Sequence, residues 1–438
     1  MLRAPADVAL VRPAQRASGR VQIPGDKSIS HRYALLGAIA DGSTRISGYS
    51  SGADCAATLG CLRALGVPIE TPRPGEVIIA GRGIRGLSRA ARPVDAANSG
   101  TTMRLLAGIA AGHPFRTVIT GDASLCRRPM RRVIGPLTEM GAAIQAQDGR
   151  PPLTVDGAAL EGITHRPEVP SAQVKSSLLL AGLHATGRTV VVEPAPTRDH
   201  TERAFAAFGV TVERDGPSVA VSGGQRLRGR DVTVPGDFSG AAFWCALAAG
   251  LPGSTIAVEG VGLNPSRTGL LDVLRRAGAA IDVVMQHEGA GEPIGRVIIA
   301  ADDRRSFTID PAEVPGLIDE LPALGALGVL LPAGSSMEVR GAAELRVKES
   351  DRISALAAGF RALGAEVIEY PDGFRIESHP LRGATVDAAG DHRLAMAFAI
   401  AACGASTPTT ITGAAAVDVS YPRFFEELER LTTPGDDR

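Results

Sequence analysis

Pro24-Gly25-Asp26-Lys27-Ser28 recurs as Pro235-Gly236-Asp237-Phe238-Ser239, 211 residues further along the chain. Leu62 to Ile69 recurs as Leu274 to Ile281 at an offset of 212. Two copies at nearly one offset point to two similar α/β halves. A shorter repeat runs inside them, in which a helical apolar pattern ends in glycine and an extended apolar stretch follows. It occurs at Leu65-Gly66-Val67, Met140-Gly141-Ala142, Phe208-Gly209-Val210, Ala277-Gly278-Ala279 and Leu363-Gly364-Ala365, with gaps of 75, 68, 69 and 86 residues between glycines. Glycine past a helix end permits the left-handed turn into a strand. Phe424 to Leu431 closes a truncated sixth unit as a helix. Each half then carries about three units, and the halves change over near Val234–Gly236. The second Pro-Gly-Asp turn has lost the lysine, so the two turns are alike in shape and unlike in chemistry.

The chain has 438 residues, 46 basic and 47 acidic, for a net charge of −1, and 44% of it is apolar. That composition builds a large core and excludes a disordered chain. The neutral balance argues against a general nucleic-acid or anionic-membrane binder. Five cysteines without a CxxC pair indicate a reducing compartment and no zinc or disulfide framework. The first twenty residues lack the apolar run of a secretory signal, no apolar stretch is long enough to span a bilayer, and the expected address is the cytoplasm. Gly81-Arg82-Gly83-Ile84-Arg85-Gly86 fits a dinucleotide pattern, but an Arg-rich stretch and Pro93 follow in place of a helix, so it reads as a turn. Pro24 to Ser28 is not a P-loop, and the eight histidines lack metal-ligand spacing.

Four helix starts share an arginine. Ser28 and Ser30 precede Arg32, Asn98 to Thr102 precede Arg104, Ser350-Asp351 precede Arg352, and Asp391-His392 precede Arg393. The hydroxyl, amide and carboxylate residues are ordinary caps. Arginine in a first turn is unfavourable by about 0.3–1 kcal/mol, because the dipole there is positive. One such residue is explained by a bend to a surface acid; four together point to bound anions, for which free N–H groups and guanidinium forks are suited. Ser171 to Ser177 opens a fifth, hydroxyl-rich helix start. The run Arg127 to Arg132 reads mostly as a solvated face, with Arg128 the member expected to turn inward. Candidate acid–base groups are Lys27, Glu349 beside Lys348, and Asp319, for which a plain N-cap role is the alternative.

Pro24 to Arg32, Asn98 to Arg104, Gly121 to Pro129, Ser171 to Lys175, Arg346 to Arg352 and Asp391 to Met396 together resemble the 5-enolpyruvylshikimate-3-phosphate synthase family. The resemblance spans Pro24 to Pro422 in the expected order. It implies two inside-out α/β domains of three repeated βαβαββ-like units each, the enolpyruvyl transferase fold, with the active site in the interdomain cleft. On the repeat boundary the halves are drawn as 21–235 for the first, and 1–20 with 236–438 for the second. The implied reaction moves the enolpyruvyl group of phosphoenolpyruvate to the 5-hydroxyl of shikimate 3-phosphate and releases phosphate, a step of the shikimate pathway. Asp319 is implied as hydroxyl base, with Glu349 and Lys27 handling protons at the enolpyruvyl carbon. Lys27, Gly100, Arg128, Gln173, Arg352 and Arg393 would hold phosphoenolpyruvate. Lys27, Ser28, Arg32, Ser171, Ala172, Gln173, Arg198, Asp319 and Lys348 would hold shikimate 3-phosphate. The resemblance implies no metal or other cofactor, no nucleic-acid or membrane partner, and a monomer.

This sequence departs from many members in having Ala172 where they carry serine, and from some in having Val419 where they carry lysine. Gly100 implies that glyphosate competes with phosphoenolpyruvate. Two alternatives remain open at this point. The first is the sister transferase acting on UDP-N-acetylglucosamine, which would use a loop cysteine such as Cys126. The second is a non-catalytic polyanion binder using Arg127 to Arg132, against which the net charge speaks.

Overall fold

The computed structural model of the chain describes residues 7–433. They divide into two compact units. The first comprises Gly25–Pro235 and Glu288–Glu292; the second comprises residues 7–24, Gly236–His287 and 293–433. The first unit thus begins at 25 and not at 21, because Ser18–Gln22 pairs in parallel with Thr255–Gly262 and carries the chain as far as Pro24 into the second unit. Residues 288–292 lie with the first unit, where Glu292 Oε1 is 2.7 Å from His200 Nδ1.

The first unit holds helices α1 (Lys27–Ile39), α2 (Ala53–Ala64), α3 (Gly100–Ala111), α4 (Arg131–Glu139), α5 (Ala172–His184) and α6 (His200–Ala207). The second holds α7 (Phe238–Gly250), α8 (Gly269–Arg276), α9 (Val314–Leu317), α10 (Leu321–Leu330), α11 (Arg352–Ala362), α12 (His392–Ala402) and α13 (Phe424–Thr432). One complete repeat reads Val94–Asp95, α3, Arg116–Thr120, α4, Ala143–Gln147, Arg150–Asp156, which is βαβαββ. The five repeat glycines end their helices with φ of +85°, +114°, +85°, +91° and +105°, values an L side chain resists.

Each unit is built with helices inside and sheets outside. Helices α3 and α5 are buried nearly all round, and so are α10 and α12. A helix apolar on every face has no stripe to give to solvent and must sit in a core. The strands instead bury one face; Arg150–Asp156 buries Pro151, Leu153 and Val155 and leaves the alternate side chains less covered. Three four-stranded sheets clad the first unit, and two four-stranded sheets with one three-stranded sheet clad the second. Asp231–Thr233, the last strand before the changeover, closes the sheet of Ser43–Ser47 in the first unit. The closing helix α13 is fixed by aromatics: Phe424 stacks on Trp244 at 4.8 Å, and Trp244 Nε1 donates to Tyr421 Oη at 3.0 Å.

The inner helices of the first unit run parallel, with their N-termini side by side. Ser177 Oγ of α5 donates to the Arg104 carbonyl of α3 at 2.7 Å, and Gln173 Nε2 donates to Thr101 Oγ1 at 2.9 Å. Glycine makes the approach feasible, since a Cβ on Gly108 would lie 2.2 Å from the Ser177 carbonyl oxygen. At the opposite end, His113 and His184 are buried with ring centroids 5.0 Å apart. Among the described residues neither ring nitrogen of His184 has a hydrogen-bond partner. Burial, helped by His113 and Arg85, pulls its pKa down to about 3, and burial lowers His113 as well.

An unfolded histidine titrates near 6.5. Between pH 6.5 and 3 the unfolded chain therefore binds a proton at His184 that the folded chain refuses. Stability falls as pH falls, by about 1.4 kcal/mol per pH unit for such a group. Thermal midpoints of the first unit should drop more steeply from pH 6.5 to 4 in the wild type than in His184→Leu. Equal slopes would show that His184 is not the acid-sensitive group.

Candidate active site

In the first unit the expected anion-binding residues gather at the three aligned N-termini. Asp26 caps α1, its Oδ1 accepting from Ile29 N at 2.9 Å, so the helix starts at Lys27. Lys27 Nζ donates to Asp54 Oδ2 at 3.1 Å, and Asp54 lies in the first turn of α2. Arg32 is buried, and all three of its guanidinium nitrogens are engaged: Nε with Thr201 Oγ1 at 2.7 Å, Nη1 with the Ser28 carbonyl at 2.8 Å, Nη2 with Ser176 Oγ at 2.7 Å. Burial lowers its pKa to about 10, against the pull of Glu202 and Asp26, so it stays charged at neutral pH.

Ser99 caps α3 by accepting from Thr102 N at 3.1 Å, which makes Gly100 the first helical residue. Arg128 Nη2 donates to Asn98 Oδ1 at 2.7 Å, and Arg104 Nη1 donates to Gln173 Oε1 at 2.5 Å. A Cβ on Gly100 would lie 2.9 Å from Arg104 Nη1 and 3.4 Å from Arg128 Nη1. Ser171 caps α5 and places Ala172 and Gln173 in its first turn. Among the six residues Arg127 to Arg132, Arg128 is buried, whereas Arg127, Arg131 and Arg132 are exposed. Arg198 is half-buried in the loop before α6.

In the second unit the centre is Asp319, in the turn before α10. Three cations surround its carboxylate: Lys348 Nζ at 3.7 Å, Arg352 Nη1 at 3.8 Å and Arg393 Nη2 at 3.9 Å. Arg393 Nη1 also donates to the Asp319 main-chain carbonyl at 2.6 Å. The N-cap of α10 is Glu320 and not Asp319, and Glu320 makes no side-chain cap bond. Arg352 is fully buried and holds two further carboxylates. Its Nη2 donates to Glu349 Oε2 at 2.6 Å, and Nε and Nη2 reach the two oxygens of Asp391 at 2.7 and 3.1 Å. Burial alone would lower its pKa, but Asp391, Glu349 and Asp319 outweigh burial and raise it. Its Nη1 has no hydrogen-bond acceptor among the described residues.

These positions correct the expectation of four first-turn arginines. Arg352 and Arg393 are the first and second residues of their helices, but Arg32 and Arg104 are the sixth and fifth of theirs. The caps Asp26 and Ser99 start α1 and α3 a turn earlier than the arginine spacing implied, so dipole repulsion at those two is weak. Asp54, Asp391 and Thr201 were missed as site partners. Asp391 read as a cap, which it also is, accepting from Arg393 N at 2.9 Å. Asp54 carried no local signal, because its partner lies 27 residues away. Among the described residues no cluster of His, Cys, Asp and Glu could hold a metal ion, and no helix is long and apolar enough to cross a membrane.

The family model described as EPSP synthase (3-phosphoshikimate 1-carboxyvinyltransferase) matches residues 11–428. This chain belongs to the EPSP synthase family. It is 50% identical over 415 residues to the 3-phosphoshikimate 1-carboxyvinyltransferase of Acidithiobacillus ferrooxidans, covering 95% of each chain. It is 51% identical over 419 residues to that of Alkalilimnicola ehrlichii, covering 95% of this chain and 94% of the relative. A solved EPSP synthase from Acinetobacter baumannii superposes with a TM-score of 0.85 at 42% identity, covering 97% of this chain and 98% of that one. The two-domain enolpyruvyl transferase fold is thereby established for the chain, with its helices inside and its sheets outside.

Within this EPSP synthase family member, Asp391 is the group whose loss should be felt most in stability. Asp391→Ala leaves the buried Arg352 without its bidentate partner and α12 without its cap. Removing one member of such a buried pair costs about 3–5 kcal/mol. Denaturant titration should show that loss, with a smaller one for Asp391→Asn, which keeps a cap acceptor. A loss within 1 kcal/mol for Asp391→Ala would mean that Arg352 finds another acceptor.

Proposed function

We propose that the chain transfers the enolpyruvyl group of phosphoenolpyruvate to the 5-hydroxyl of shikimate 3-phosphate and releases phosphate. The observation that carries this reading is the Asp319 carboxylate among Lys348, Arg352 and Arg393, with Glu349 tied to the same arginine. Such an arrangement offers both a proton acceptor and charge for a phosphorylated, carboxylated substrate.

In the addition step Asp319 takes the proton of the 5-hydroxyl as its oxygen attacks C2 of phosphoenolpyruvate. The methylene carbon takes a proton from Glu349 or Lys27, giving a tetrahedral ketal. In elimination the methyl carbon returns a proton to the same group, the bond from C2 to the phosphate oxygen breaks, and phosphate leaves with the proton that Asp319 took up, which restores the base. Lys27, the Gly100 backbone, Arg128, Gln173, Arg352 and Arg393 hold phosphoenolpyruvate. The Arg352 Nη1 that lacks an acceptor is suited to an incoming anionic oxygen. Lys27, Ser28, Ser171, Ala172, Gln173, Arg198, Asp319 and Lys348 hold shikimate 3-phosphate. Ala172 offers its main chain where a hydroxyl would otherwise reach. Arg32 serves the same substrate with charge and by holding Ser28, since its nitrogens already carry hydrogen bonds.

The UDP-N-acetylglucosamine reading has less support. Cys126 Sγ lies 3.4 Å from the Gly121 carbonyl, to which it donates within its own loop. Cys126→Ser should keep turnover within about threefold, and abolished turnover would revive that reading.

Phosphate release should require both substrates, with nothing released when either is omitted. Asp319→Asn should lower kcat by about 10²–10⁴, the span of a lost general base. An Asp319→Asn enzyme of wild-type kcat would remove the proposed base. Gly100→Ala should raise both KM for phosphoenolpyruvate and the inhibition constant for glyphosate, because the added methyl displaces the Arg104 or Arg128 guanidinium. Inhibition constants measured against varied phosphoenolpyruvate check this. Unimpaired wild-type turnover in saturating glyphosate would contradict it.

A further inference from the structure

His31 is fully buried in α1, one turn after Lys27, and takes no part in the reaction described above. Its Nδ1 lies 2.6 Å from Thr58 Oγ1 of α2. Thr58 Oγ1 lies 2.6 Å from Thr102 Oγ1 of α3, and Thr102 Oγ1 donates to Ser99 Oγ at 2.8 Å. Ser99 Oγ is the cap acceptor of α3. The proton directions follow from the last link. Thr102 spends its hydroxyl proton on Ser99, so it accepts from Thr58, whose other acceptor, the Asp54 carbonyl, is the more distant at 3.5 Å against 2.6 Å. Thr58 then accepts from His31, which must carry its proton on Nδ1. Nε2 is left as an acceptor 4.0 Å from Cys55 Sγ. Burial, with Lys27 and Arg32 nearby, keeps the imidazole neutral, as this one-way chain requires.

The chain joins two helix starts that the proposed reaction uses unequally: Gly100 on α3 serves phosphoenolpyruvate alone, whereas on α1 Lys27 serves both substrates and Ser28 shikimate 3-phosphate. Helix α2 serves both ends of it: Asp54 in its first turn holds the Lys27 ammonium, and Thr58, one turn on, carries the hydroxyl relay to α3.

We propose that His31 is a positioning residue, which through Thr58 and Thr102 fixes the Ser99 cap and so sets the Gly100 end of α3 against the Lys27 end of α1. The inference rests on the proposed reaction for its consequence, but not for its geometry. Gly100 and Arg128 lie on the phosphoenolpyruvate side, so a slack α3 start weakens that substrate and leaves the other nearly untouched.

Thr58→Val removes the middle hydroxyl at constant shape, and His31→Leu removes the first donor. Both should raise KM for phosphoenolpyruvate about tenfold and leave KM for shikimate 3-phosphate within twofold. His31→Asn should restore the wild-type value, because its amide nitrogen sits as far from Cβ as Nδ1 does. A purely structural role would lower the thermal midpoint without splitting the two KM values and would gain nothing from asparagine. Amide hydrogen exchange supplies a readout without turnover: Thr102 and Met103 should exchange about tenfold faster in Thr58→Val, and at the wild-type rate in His31→Asn. Faster exchange in a chain that releases no phosphate in the wild type would sink the reaction and keep the relay. Unchanged exchange, or both KM values rising together, would overturn the relay. If His31→Leu does not fold, Thr58→Val and His31→Asn still decide the matter.

Discussion

Three parallel helices brought together at their N-termini present positive dipole ends to one another, and this is the constraint on which the first unit depends. Isolated, such an alignment is repulsive. The chain offsets it with caps from Asp26, Ser99 and Ser171, each accepting a main-chain N–H of its own helix. It then adds cations to the same end: Lys27, Arg32, Arg104 and Arg128. The hydrogen bonds described for the three arginines run to hydroxyl, amide and carbonyl oxygens, which orient a guanidinium without cancelling its charge. Such an end is suited to the anion proposed above, and α3 and α5 lie close along their length because glycines at 108 and 112 admit Ser177 and His184.

The second unit solves the matching problem differently. Arg352 enters a fully buried position already surrounded by Asp391, Glu349 and Asp319. A buried cation without such partners would be prohibitive, and two of the partners, Asp319 and Glu349, are the proposed acid–base groups. Asp391 does three things at once: it caps α12, holds Arg352 and accepts from Ser350. Stability and chemistry therefore share residues here, which explains why Asp319 and Glu349 can lie close to several cations and still be held in place.

Much of this was legible in the sequence, and the particular residues show why. The repeat glycines ended helices as read, because a left-handed residue after a helix is a local demand that only a few residues meet. Arg128 turned inward as read, whereas the three cations around Asp319 come from Lys348, Arg352 and Arg393, far along the chain. What was not legible was non-local. No local pattern says that Ser18–Gln22 pairs with Thr255–Gly262, or that Asp54 meets Lys27, since the partners are set by packing. The helix starts at Arg32 and Arg104 were placed a turn late for a related reason: serine and asparagine near each start offered several rival caps, and only the folded backbone selects one.

The two Pro-Gly-Asp turns show how one shape came to serve two chemistries. In both, the aspartate caps the inner helix that follows, Asp26 for α1 and Asp237 for α7. At the next position Lys27 reaches Asp54, whereas Phe238 is buried in the core. One residue further, Ser28 is only partly buried, while Ser239 Oγ donates to Glu320 and accepts from Arg267 Nη2 at 2.6 Å. The second turn is thus sealed by an internal ion pair where the first leaves Ser28 partly exposed. Glu320 immediately follows Asp319, so that seal also anchors the backbone beside the carboxylate proposed as base. One turn shape thus carries a partly exposed lysine in the first copy and, with Phe238 in its place and Glu320 and Arg267 closing over Ser239, a packed core end in the second.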